Sequence, residues 1–257
     1  MKHPLRTLLL AVCCGLAAAC TQRQERLKLM SYNIRNGIGI DNIQDIGRIA
    51  RVILREAPDL VALQELDSAT LRVDGRYIPG ELGRMTGMHA TFGRAIGFAG
   101  GSYGIGLLSR TEPLAVRSIP LPGREEARVL LMAEFPDYTV CITHLSLTPE
   151  DRLASLPIIR EATDTCRKPV LLAGDFNTGN AAAVLAGLGG GFRILSDTTR
   201  MTFPSDNPAV RIDYILGRGL PTSATVAESA VDHTATASDH CPLWVTLVWN
   251  RGKQPGK

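Results

Sequence analysis

The chain has 257 residues, 45% hydrophobic, with 28 basic and 25 acidic side chains for a formal charge of +3. That is long enough for one large domain or two small ones and apolar enough for a sizeable core. The positive charge lies in the flanks: residues 30–249 hold 20 basic and 24 acidic residues, a net of −4, so the body lacks the basic surplus with which proteins grip long nucleic acid.

Residues 1–20 read as a secretory signal, with Lys2 and Arg6 ahead of an apolar stretch from Leu8 to Ala19. Small residues lead into Cys20, as in a bacterial lipobox, although Ala17 stands where Leu is commoner. Cys20 is therefore expected to be the lipidated first residue of an exported, membrane-anchored lipoprotein, with simple cleavage as the alternative. Residues 21–26 read as a short linker, and the basic flanks suit anionic headgroups near an anchor. No other segment is long and apolar enough to span a bilayer. Beyond the leader only Cys141, Cys166 and Cys241 remain, an odd number that argues for buried thiols over a disulfide framework.

One domain over 27–249 and a basic tail over 250–257 follow from the absence of any repeat or linker. Leu27 to Asn33 predicts a strand, Ile43 to Glu56 an amphipathic helix, and Asp59 to Leu63 a second strand. Residues 67–100 read as a loop-rich stretch. It holds Arg72, Arg76, His89 and Arg94 and is a candidate for setting specificity, with the three arginines expected to be solvated. Runs near Ile105–Leu108, Ala115–Ile119, Val129–Glu134 and Thr139–Thr143 predict a strand meander. Thr148, Pro149 and Asp151 predict a capped helix start, running to about Thr165. Then come a strand at Val170–Ala173, a helix at Ala181–Leu188, and strands at Arg211–Leu216, near Thr225 and at Leu243–Val248. Strand-only stretches with helices inserted between some of them suit two packed sheets with helices outside.

Six polar sites stand at or just past predicted strand ends: Asn33, Glu65, His144, Asp175 with Asn177, Asp213, and Asp239 with His240. A carboxylate leaving a buried strand is solvated, paired or bound to metal. Mg²⁺ takes one or two protein carboxylates and fills its shell with water and substrate oxygens. Glu65 and Asp239 suffice for that, with Asn33 nearby. Asp213 can fix the tautomer of His240, which then donates to a phosphoryl oxygen. Asp175 and Asn177 alternate along an extended end and pair a base with a neutral amide donor.

Taken together, YNI at 32–34, LQE at 63–65, GIGLLSR at 104–110, THL at 143–145, GDFN at 174–177, RIDYIL at 211–216 and SDH at 238–240 resemble the endonuclease/exonuclease/phosphatase superfamily. The resemblance implies a four-layer α/β/β/α sandwich and a Mg²⁺- or Mn²⁺-dependent phosphoesterase. It implies Glu65 as principal metal ligand with Asn33 and Asp239, Asp175 as water-positioning base, and Asn177 as transition-state donor. His240 oriented by Asp213, and His144, are implied as phosphate contacts. Arg35 stands where abasic-site nucleases of the superfamily carry an acid, and an arginine there suits a substrate phosphate instead. Tyr103 stands one place from a cleft tyrosine of relatives.

The expected partner is a phosphoester: a lipid headgroup, an inositol phosphate, a small phosphodiester or, in the alternative of a secreted nuclease, DNA or RNA. The protein is expected to act as a monomer. A surface-anchored binding module without chemistry is the weaker rival, because all the acid and histidine positions are kept. Gly100–Gly104 also fits the G-x-S-x-G of serine hydrolases around Ser102. A nucleophile elbow needs a helix directly after the serine, and the residues that follow predict a strand.

Overall fold

The computed structural model describes residues 24–250. The expected leader with Cys20, and residues 251–257 of the expected tail, lie outside that range. In chain order the first half comprises β1 (Gln24–Asn33), α1 (Ile46–Glu56), β2 (Leu60–Ser68), α2 (Ile78–Thr86), β3 (His89–Phe98), β4 (Gly101–Ser109) and β5 (Ala115–Leu121). The second half comprises β6 (Arg128–Glu134), β7 (Thr139–His144), α3 (Pro149–Asp164), β8 (Val170–Asp175), α4 (Ala181–Leu188), β9 (Arg193–Ile194), β10 (Asp213–Arg218), β11 (Thr225–Val231) and β12 (Leu243–Asn250).

The strands form two six-stranded sheets, ordered β11-β12-β1-β2-β4-β3 and β5-β6-β7-β8-β10-β9. Their inner faces share one core, in which Leu29, Leu60 and Leu107 meet Leu131, Ile142, Leu171 and Ile215. On the outer face of the first sheet, Met30, Tyr32 and Leu63 pack on Ile49 and Ile53 of α1 and on Leu82 of α2. On the second, Leu130, Leu172 and Tyr214 pack on Ile159 of α3 and Leu188 of α4. Central strands buried on both faces read as unbroken apolar runs, which is why β8 is Val-Leu-Leu-Ala rather than alternating. The result is the expected four-layer α/β/β/α sandwich.

Each sheet has one parallel pair at its centre, β1–β2 and β7–β8, joined through α1 and α3, with antiparallel neighbours on both sides. Asn33, His144 and Asp175 end β1, β7 and β8, whereas Glu65 lies inside β2, which continues past the expected strand end to Ser68; this end of an α/β layer is where polar chemistry is customarily displayed.

Two local expectations are corrected. Residues 67–100 are not loop-rich: they hold a helical turn at Leu71–Val73, then α2 and all of β3. Arg72 is exposed at 41% as expected, but its guanidinium also bonds the fully buried Asp67 at 2.5 and 3.1 Å and stacks on Phe98 and Tyr103. Thr148 makes no side-chain cap on α3; its hydroxyl donates to Glu125 at 3.1 Å, while Asp151 pairs with Arg124. Ser102 lies inside β4, paired with Ser68 and Gly97 of its neighbours, so no strand-to-helix elbow forms there. The free Cys141 and Cys241 are buried, and Cys166 is half-buried. Among the described residues no helix is long and apolar enough to cross a membrane.

Candidate active site

Backbone irregularities aim the side chains. In β2 the register with β4 shifts between Leu63 and Leu66, and Glu65 takes a left-handed φ of 60° in that bulge. The bulge turns the carboxylate out of the alternation that would bury it. At the end of β8, Gly174 lies so close to β7 that a Cβ would stand 2.0 Å from the Thr143 carbonyl oxygen. Arg35 (φ 44°) and Asn177 (φ 50°) are also left-handed. Non-glycine residues in that region cost energy and cluster where geometry serves function.

Asp175 is the hub. Its Oδ2 accepts from Asn33 Nδ2 at 3.1 Å, and stands 3.5 Å from His144 Nε2 and 3.7 Å from His240 Nε2. Its Oδ1 accepts from the backbone N–H of Asn177 at 2.8 Å. Register explains the crowding, since His144 on β7 and Asp213 on β10 both pair directly with Asp175. Asn33 Nδ2 also donates to Glu65 Oε1 at 2.9 Å, tying the two carboxylates through one amide. His240 Nδ1 lies 3.0 Å from Asp213 Oδ2. Asn177 Nδ2 donates to the Leu145 carbonyl at 2.8 Å. Asp239 meets Arg35 Nε at 3.5 Å, and Ser238 Oγ donates to the Asn33 carbonyl at 2.7 Å, joining β1 to the loop before β12.

Electrostatics separates the two histidines. Burial works against a charge on His240, but the charge and hydrogen bond of Asp213, with Asp175 and Asp239 nearby, push it up to about 10. His144 is held well below its ordinary value by burial first, then by Arg128 and His240. At neutral pH His240 is therefore a cation and His144 a neutral ring. Burial, followed by the neighbouring Asp213, raises Asp175.

A family model for the Endonuclease/Exonuclease/phosphatase family matches residues 30–240. The chain belongs to that family. As a member it is a hydrolase of phosphoester bonds. Its fold resembles that of an endonuclease/exonuclease/phosphatase from Bacteroides vulgatus, at 20% identity and a TM-score of 0.70, covering 87% of this chain and 98% of that one. It also resembles a mannosyl-6-phosphatase from Bacteroides thetaiotaomicron (19%, TM-score 0.68, 86% and 99% covered). A third similar structure is D. rerio TDP2 complexed with single-strand DNA product (22%, TM-score 0.65, 86% and 98%). None of the curated proteins compared matches the chain.

In this endonuclease/exonuclease/phosphatase member all the sequence-predicted polar sites reach one network. Tyr103 stands at its edge, 8% exposed, around a small crevice it shares with Glu126, Arg128 and His144. Burial, then the charge of Glu65, holds its hydroxyl protonated. Asn33 acts here as a bridge, its amide N on two carboxylates and its Oδ1 accepting from the Arg35 N–H at 3.1 Å. Sequence reasoning passed over Thr202, whose hydroxyl receives the N–H groups of Ile212 and Asp213, and Phe203, whose ring lies 4.8 Å from that of His240. Neither stands in a motif, so only the fold reveals them. Asp175, Asp213 and His240 offer donor atoms within 4.8 Å of one another, compact enough to hold an ion. Glu65 and Asp239 offer only hard oxygens, Glu65 bound to Asn33 Nδ2 and Asp239 31% exposed and paired with Arg35.

Proposed function

We propose that this protein is a Mg²⁺- or Mn²⁺-dependent phosphoesterase that directs a water held by Asp175 in line at phosphorus. The observation that carries it is the position of the Asp175 carboxylate, oriented by Asn33 and Asn177 and flanked by one charged and one neutral histidine. Asp175 takes the proton of the attacking water, and its raised pKa suits a base working near neutrality. His240, kept protonated by Asp213, stabilises charge on a phosphoryl oxygen. Neutral His144 and the Asn177 amide add donors, and Arg35 pairs with a substrate phosphate.

Glu65 and Asp239, with Asn33, fit a hard divalent ion better than Asp175, Asp213 and His240 do. In the latter set His240 is a cation whose Nδ1 is engaged by Asp213, and a protonated ring does not ligate metal. When bound, the ion would neutralise phosphate charge and lower the barrier to loss of the leaving group.

We favour a small phosphodiester, an inositol phosphate or a lipid headgroup as substrate over long nucleic acid, on the net charge of −4 over residues 30–249. The secreted nuclease is the second reading. Turnover of bis-p-nitrophenyl phosphate, inositol phosphates, sphingomyelin, DNA and RNA, each with and without EDTA, tests both. Metal-dependent cleavage of a small or lipid ester with slow DNA and RNA cleavage supports the first reading. Preference for DNA or RNA moves the assignment to the second, and no cleavage of any sinks both. We further propose a monomer, exported and acylated at Cys20. Radiolabelled palmitate incorporated by the wild type and by Cys20→Ser alike would refute the acylation.

A further inference from the structure

The turn before β6 reaches over to the start of α3. Arg124 grips Asp151 with its N–H and Nε at 2.8 and 3.1 Å and its Nη2 at 3.0 Å. Beside it, Glu125 gathers the segment that follows His144. Its Oε1 accepts from Ser146 Oγ at 2.7 Å and from the Leu147 N–H at 2.7 Å. Its Oε2 accepts from Ser146 Oγ at 2.9 Å and Thr148 Oγ1 at 3.1 Å, and Arg128 Nη2 approaches Oε1 at 3.3 Å.

This carboxylate engages the Thr148 hydroxyl, which makes no cap bond to α3. The segment it fixes has a specific task. The Leu145 N–H donates to the Asp175 carbonyl at 2.9 Å, and the Leu145 carbonyl accepts from Asn177 Nδ2 at 2.8 Å. Asn177 has no other side-chain partner among the described hydrogen bonds, so the position of the Leu145 carbonyl sets the roll of its amide.

We propose that Glu125 is a positioning residue for Asn177, acting through the Leu145–Thr148 segment to hold the amide where charge develops on phosphorus. The inference rests on the phosphoesterase reading above. Its chain of contacts is Glu125 to Ser146 and Leu147, the adjoining backbone to Leu145, and the Leu145 carbonyl to Asn177.

Kinetics of Glu125→Gln, Asn177→Ala and the double variant on bis-p-nitrophenyl phosphate with Mg²⁺ test it. Gln keeps the shape but offers one acceptor oxygen where five contacts use two. Glu125→Gln is expected to lower kcat roughly 10- to 100-fold, as loss of a residue orienting a functional ligand does, with KM little changed. In the Asn177→Ala background the same substitution is expected to do nothing further. A wild-type kcat in Glu125→Gln, or losses that multiply in the double variant, overturns the proposal. If Glu125→Gln unfolds, Ser146→Ala removes two contacts from the loop side. It should reproduce a smaller kcat loss that also vanishes without Asn177, and a loss that persists there counts against the proposal. A wild type inactive on every phosphoester sinks the hydrolase reading and this inference together. An active wild type with an unaffected Glu125→Gln sinks the inference alone.

Discussion

Asp175 Oδ2 receives Asn33 Nδ2 at 3.1 Å while Oδ1 receives the Asn177 N–H at 2.8 Å, leaving the carboxylate one fixed orientation. Asp175→Asn keeps the shape and removes the base, so kcat should fall about 10²- to 10⁴-fold with folding preserved. A fall below tenfold in single-turnover measurements would remove Asp175 from the chemistry. His240 gives a pH prediction. Its folded value is raised to about 10 from an ordinary value near 6.5. Stabilisation from its pairing with Asp213 is thus complete below about 6.5 and disappears as pH rises through about 10. Denaturant midpoints of the wild type should drop across that window, and those of His240→Gln should drop less. Parallel curves would show that the pairing carries no such charge. At this scale the motifs were readable, though not all at strand ends: Asp175 and Asn177 close the apolar run of β8, whereas Asp213 opens β10 and Asp239 and His240 precede β12. Arg72 and Glu125 were not, because a charged residue in a turn looks solvated until its partner, distant in the chain or buried, is known.

The elements at the site are shaped by departures from regularity that a sequence pattern does not carry. The bulge at Glu65 and the left-handed Arg35 and Asn177 are backbone choices made by tertiary contacts. Gly174 is the exception that sequence hinted at, since glycine before an acid at a strand end permits close approach. Gly174→Ala would drive a Cβ to 2.0 Å from the Thr143 carbonyl, at a φ of 154° that side chains rarely adopt. We expect a loss of at least about 2 kcal/mol as β7 and β8 separate, measured by urea unfolding. An unchanged midpoint would mean the two strands have slack. Most strands and α1 followed from apolar runs and periodicity, α3 from its Thr-Pro-x-Asp start and α4 from its run of small residues. The missed elements lie where that signal is weak: α2 has Pro79, Gly80 and Gly83 in nine residues, β3 is a half-exposed edge strand with Gly93 and Gly97, and β9 is a two-residue edge strand.

At the scale of the molecule, two sheets each present the carboxyl ends of one parallel pair, and packing them face to face brings the four ends together. Neither sheet holds a complete site: Asn33 and Glu65 come from one, His144, Asp175 and Asp213 from the other. Leu131, fully buried between the sheets, ties their alignment to stability. Leu131→Ala should cost about 2–5 kcal/mol and leave a single unfolding transition by calorimetry. Two separate transitions would contradict the shared core. The layering was legible from strand-rich stretches with helices interposed, whereas the pairing order of twelve strands was not, because contacts such as Asn33 with Asp175 join residues far apart in the chain. The central claim is that this sandwich directs an Asp175-held water onto phosphorus. Hydrolysis in ¹⁸O-labelled water measures it most directly. One labelled oxygen is expected in the phosphoryl product, with incorporation lost in Asp175→Asn and on chelation. Label appearing in the released alcohol, or undiminished turnover in EDTA, would contradict it.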